Sequence, residues 1–82
     1  MEKNARPKKH SLTLKGHRTS VSLEDPFWQA FREIAEEKDL TLNQMAAIVD
    51  AERGIQCGLA SAMRLYILQH YQSKLSKISG AE

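Results

Sequence analysis

Cysteine occurs once in these 82 residues, at Cys57. A single thiol closes no intrachain disulfide, and with His10, His17 and His70 scattered along the chain it leaves no zinc-ligand spacing. No apolar run approaches the ~20 residues that span a bilayer, and the basic N-terminus lacks the apolar core of a signal peptide. A soluble, cytoplasmic chain with a reduced thiol is therefore expected. The four glycines form no phosphate loop, and none sets up a nucleophile elbow around Ser20 or Ser22. The adjacent carboxylates Glu36-Glu37 and Asp50/Glu52 fall on solvated helix faces without an apolar pocket around them. Enzyme activity and a cofactor are thus not expected. So short a chain buries only ~60% of its unfolded surface, and self-association is the route left to a larger core.

The net charge of +2 hides a segregation. Residues 1–18 carry six basic side chains against Glu2, a net +5, whereas residues 19–82 carry six basic and nine acidic ones, a net −3. A basic arm on an acidic body suits contact with a polyanion at one end. The arm, residues 1–10, is polar and aperiodic and reads as disordered. Residues 76–82 read as a frayed tail, and the folded domain spans 11–75.

Within that domain, RTSVSL (18–23) alternates as a strand does, with Thr19, Val21 and Leu23 on one face and Arg18, Ser20 and Ser22 on the other. SLTL (11–14) alternates only briefly before Lys15-Gly16 interrupts it. Asp25-Pro26 opens a first helix over about 26–38, with Asp25 placed to cap it and Phe27, Phe31, Ile34 and Ala35 as its apolar stripe. Thr41 to Gln44 is a capping box for a second helix over about 42–53, with Leu42, Met45, Ala46 and Val49 inward and Gly54 as its stop. A third helix covers about 59–75. It is apolar on more than one side, Leu59, Met63, Tyr66 and Ile67 on one and Leu65, Leu68 and Leu75 on another, which calls for a second subunit. Trp28, Tyr66 and Tyr71 are expected in the core or an interface. Cys57 reads as an inert residue in a turn.

A strand with one apolar face needs a partner for its N–H and C=O groups. Either SLTL folds back through Lys15-Gly16-His17, or RTSVSL pairs antiparallel with its copy in a second chain about a two-fold axis. The second arrangement is favoured here. It predicts one strand per chain in an intertwined homodimer with an intersubunit ribbon, whose core holds Val21, Leu23, Phe27, Phe31 and Ile34. A two-stranded ribbon suits the major groove of double-stranded DNA, and Arg18, Ser20 and Ser22 can all donate to base edges. Lys8, Lys9, Lys15 and His17 then stand beside the groove as phosphate contacts.

The string RTSVSLEDPFWQAFREIAEEKDLTLNQMAAIVD resembles the ribbon-helix-helix repressors of the Arc/MetJ type. GHRTSVSLEDPFW, followed by LASAMRLYILQHY, is similar to a bacterial subfamily of small ribbon-helix-helix proteins, and the likeness covers roughly residues 11–72. It implies a mainly α fold and a homodimeric, nucleoid-associated transcriptional regulator that reads bases with Arg18, Ser20 and Ser22. It also implies a phosphate held by free backbone N–H groups at the start of the second helix, Thr41, Leu42 and Asn43. The family has two helices where this chain has three. LASAMRLYIL also looks like the family's second helix, which leaves Leu59–Ala62 as the other anchor. The alternative to DNA binding is an antitoxin-like or adaptor dimer that holds a protein partner with its third helix.

Overall fold

The computed structural model describes residues 6–54 and 57–79. Their order is β1 (Lys8–Leu14), β2 (His17–Leu23), α1 (Asp25–Glu37), α2 (Leu42–Glu52) and α3 (Leu59–Ser79). The strands pair antiparallel, from Lys8 opposite Leu23 to Leu14 opposite His17. Only Lys15 and Gly16 connect them, with φ of 52° and 82°. Two successive positive φ values define the type I′ turn, whose twist matches that of the strands it joins.

This corrects the expectation of one strand per chain. β2 finds its partner inside the chain, because a two-residue turn brings β1 alongside it at little loop-closure cost. Lys8, Lys9 and His10 accordingly stand in the strand and not in a disordered arm; residues 1–5 of that expected arm lie outside the described residues.

Alternation along both strands gives the ribbon two unlike faces. Leu12, Leu14, Val21 and Leu23 point inward and are buried. Against them pack Phe31, Ile34 and Ala35 of α1, Met45, Ala46 and Val49 of α2, and Ala62, Met63 and Ile67 of α3. The helical stripes read from the sequence are the ones that face the core. Val21, Leu23, Phe31 and Ile34, expected in a core shared between two chains, are buried by this chain alone. Phe27 packs half-buried at the edge of that core.

Local chemistry sets the helix ends. Glu24, one residue earlier than expected, is the N-cap of α1 and makes no side-chain cap bond; Asp25 stands in the first turn and instead meets Lys8 at 3.1 Å. The helix closes on a Schellman motif. Leu40 N–H donates to Ala35 O at 2.9 Å and Asp39 N–H to Glu36 O at 3.1 Å, while Asp39 takes the left-handed φ of 60°. The capping box of α2 forms as read: Gln44 N–H donates to Thr41 Oγ1 at 3.1 Å, and Thr41 N–H to Gln44 Oε1 at 2.9 Å. α3 runs on to Ser79, so residues 76–79 are helical and not frayed, and 80–82 lie outside the described residues.

The two apolar sides of α3 meet different fates. Met63 and Ile67 are buried and Tyr66 packs against the core, but Leu65, Leu68, Tyr71, Leu75 and Ile78 are exposed. Tyr71 is thus not the core residue its spacing suggested. Trp28 lies half-buried, stacked on His10 at 3.9 Å between ring centroids and only 6° from parallel.

If the turn holds the ribbon together, a side chain at Gly16 must weaken it. An added Cβ meets nothing within 4 Å, so the strain is in the backbone alone. Gly16→Ala is expected to lower stability by about 1–2 kcal/mol, seen as a lower urea midpoint at unchanged slope. An unchanged midpoint would contradict the hairpin.

Candidate nucleic-acid interface

The outward face of the ribbon carries three side chains from each strand. Lys9 stands opposite Ser22, Ser11 opposite Ser20, and Thr13 opposite Arg18. All six are exposed. Lys15 occupies the tip of the turn, and exposed His17 follows it. From Lys8 to Leu23 the sequence contains no Asp or Glu, so the ribbon presents donors and positive charge without a competing carboxylate. At about 3.4 Å per residue, seven residues give a ribbon ~24 Å long, and two strands ~5 Å apart with their side chains fit a groove ~12 Å wide.

The N-terminus of α2 is fastened to the edge of this ribbon. Thr13 N–H donates to Asn43 Oδ1 at 3.0 Å. The bond satisfies a donor on the outer edge of β1 and blocks further strand pairing there. It also sets the first turn of α2 beside the Thr13–Arg18 pair. Thr41 N–H and Gln44 N–H are engaged in the capping box, which leaves the amides of Leu42 and Asn43 as first-turn donors with no acceptor inside the helix.

A second fastening ties the base of β2 to α3. Arg64 reaches Glu24 in a fork, with Nε and Nη2 at 3.1 and 2.9 Å from Oε1 and Nη2 at 3.2 Å from Oε2, and its guanidinium lies 5.7 Å above the centre of the Phe27 ring. The start of α3 is therefore held at the base of the ribbon, away from its turn. At the far end of α1, Glu37 meets Lys74, and His70 Nε2 lies 3.0 Å from Glu37 Oε1. Asp50 pairs with Arg53 at 2.7 Å. Two of the carboxylates considered for acid–base chemistry are thus bound in ion pairs.

The ribbon-helix-helix domain matches residues 7–71. The chain belongs to this family. No curated protein and no solved structure matches it. Its membership fits the fold class read from the sequence, with a third helix and a second strand in the same chain. No helix among the described residues is long and apolar enough to cross a membrane, and no three His, Cys, Asp or Glu among them are grouped to hold a metal ion.

Within this ribbon-helix-helix chain, Arg18, Ser20 and Ser22 share one exposed face, as their alternation required. Lys9 joins them there. Lys8 does not: it lies on the other side, paired with Asp25. Leu42 and Asn43 sit against the ribbon, whereas the alternative anchor at Leu59–Ala62 begins beyond the Glu24–Arg64 pair. Ser11 and Thr13 were missed. Their signal was the alternation of SLTL ahead of Lys-Gly, too short by itself to define a strand.

The fastenings make the fold acid-sensitive. Its own backbone N–H and then Arg64 hold the Glu24 carboxyl below its usual 4.5, and Lys74, then His70, hold Glu37 below it. A carboxylate with a depressed folded value stabilises the fold fully above its unfolded value and loses that contribution as pH falls through the folded one. Tm is therefore expected to hold steady down to about pH 4.5 and then to fall, with Glu24→Gln and Glu37→Gln each flattening the fall. Thermal melts from neutral pH to about pH 3 test this. A double variant as steep as wild type would exclude both pairs as the cause.

Proposed function

We propose that this protein is a DNA-binding transcriptional regulator that acts as a homodimer and lays the outer face of its hairpin in the major groove. The observation that carries this reading is the exposed, acid-free face of Lys9, Ser11, Thr13, Arg18, Ser20 and Ser22. Arg18 is the one side chain on it with the fork to grip guanine O6 and N7 together, and it is the expected principal base reader. Ser20 and Ser22 donate to base edges with less discrimination, as do Ser11 and Thr13 from β1.

The phosphates are gripped from the sides. With the ribbon in the groove, the sugar-phosphate strands run along its edges, and the N-terminus of α2 stands at one edge through Asn43. The Leu42 and Asn43 amides, at the positive end of the helix dipole, are suited to one phosphate. Lys15 and His17 supply further contacts near the tip, and Lys9 near the base. Each chain brings two strands, and the edge of β2 that β1 does not cover is where the strand of a second chain would join the ribbon.

A protein-interaction reading is favoured by one observation, the exposed Leu65, Leu68, Tyr71, Leu75 and Ile78 on α3. That face is compatible with a DNA-binding dimer as well.

The test is titration of labelled duplex DNA. If two chains neutralise roughly six phosphates, affinity falls about a thousandfold between ~50 and ~200 mM salt. Lys15→Ala should weaken binding to all sequences and lower the salt slope by about two, one for each chain. Arg18→Ala should cost about 1–3 kcal/mol per chain on a selected site and relax its preference at one position in each half-site. A protein that ignores DNA even at low salt would overturn the reading.

A further inference from the structure

The hydrogen bond from Thr13 N–H to Asn43 Oδ1 fixes which way the peptide groups of the ribbon point. Directly opposed residues of an antiparallel pair either bond each other or both turn away. Thr13 sends its N–H outward, so Arg18 opposite it turns away as well, and by the period of two so do Ser20 and Ser22. Their N–H and C=O groups line the edge of β2 that no strand among the described residues covers. On the other side of the ribbon, Asn43 occupies the edge of β1 at Thr13. The open edge for strand pairing is therefore that of β2. Two chains joined there about a two-fold axis make a sheet of four strands, with the two copies of β2 at its centre and a β1 on each flank.

Four strands do not fit where two do. At ~4.8 Å between neighbours, each central strand lies ~2.4 Å from the axis of the sheet and each β1 ~7 Å from it. The walls of a major groove ~12 Å wide stand ~6 Å from the same axis. The central pair enters the groove, and each β1 comes to rest over a sugar-phosphate strand.

We propose that β1 is the backbone-gripping flank of this sheet: Lys9, Ser11 and Thr13 contact phosphates and sugars, and base reading is left to Arg18, Ser20 and Ser22. The proposal rests on the DNA-binding homodimer read above, joined at the open edge of β2. It moves Ser11 and Thr13 onto the backbone from the base edges that one hairpin alone would bring them to. The chemistry of β1 suits that place. An ammonium and two hydroxyls are donors that phosphate oxygens accept whatever the sequence, and none of them has the planar fork of Arg18. No acid between Lys8 and Leu23 competes with the phosphates. Thr13 also stands beside the first turn of α2, so its hydroxyl and the Leu42 and Asn43 amides approach the same backbone strand from two sides.

Selection from a pool of duplex DNA with a randomised centre, run with the wild type and with each variant, separates the two roles. Lys9→Gln should weaken binding to all sequences and lower the salt slope by about two, one phosphate for each chain. Ser11→Ala and Thr13→Val should each weaken binding a few-fold, the size of a lost neutral hydrogen bond, and should select the same site as the wild type. Thr13→Val keeps the N–H that Asn43 accepts, so a loss there belongs to the hydroxyl. All three side chains are exposed, and unchanged circular dichroism checks that each variant folds. If one fails to fold, the other two decide. A changed base preference in Ser11→Ala or Thr13→Val would put β1 inside the groove and overturn the proposal, as would an unchanged salt slope in Lys9→Gln. A wild type that binds no duplex even at low salt would sink the regulator reading and this division of labour with it.

Discussion

Folding β1 back onto β2 requires two consecutive residues with positive φ, and Lys15-Gly16 supplies them. Glycine takes that conformation at no steric cost, whereas lysine takes it at some cost and is held there by the strands on either side. Much else depends on this turn. It pairs β2 within the chain, puts Leu12 and Leu14 beside Val21 and Leu23, and so makes an apolar surface wide enough for three helices. It also doubles the number of side chains on the outer face.

The ribbon is then fixed to the helices at two places that use different physics. At the edge of β1 it is a neutral hydrogen bond, Thr13 N–H to Asn43 Oδ1. At the base of β2 it is a charged fork between Glu24 and Arg64. The first orients the start of α2 toward whatever runs along the ribbon, and the second keeps α3 clear of it. Neither uses a side chain from the outer face, so a change of base preference there leaves the scaffold intact.

The helices were legible in the sequence because their stripes are long and periodic and because Thr41 and Gln44 form a complete capping box. The first strand was not. Its inward positions are Lys8, His10, Leu12 and Leu14, and only the last two are apolar, so the alternation looked four residues long. His10 takes an apolar role by lying flat on Trp28, a contact across 18 positions that periodicity does not reveal. Arg18, Ser20 and Ser22 were legible because alternation alone fixes their face. Lys8 has the parity of the inner face, where at the ribbon's open end it stays exposed and meets Asp25. Asp25 in turn was read as a cap because Asp-Pro marks a helix start, but the helix begins a residue early and Glu24 fills that place.

The surplus of apolar surface on α3 was legible from composition. A helix apolar on two sides signals a second subunit, and the strand was taken as the place where that subunit joins. β1 pairs with one edge of β2, and no strand among the described residues covers the other. Outside α3, Ile48 is the one large exposed apolar side chain among them. The ribbon's outer face and the stripe on α3 both point away from the same core, so covering one leaves the other open.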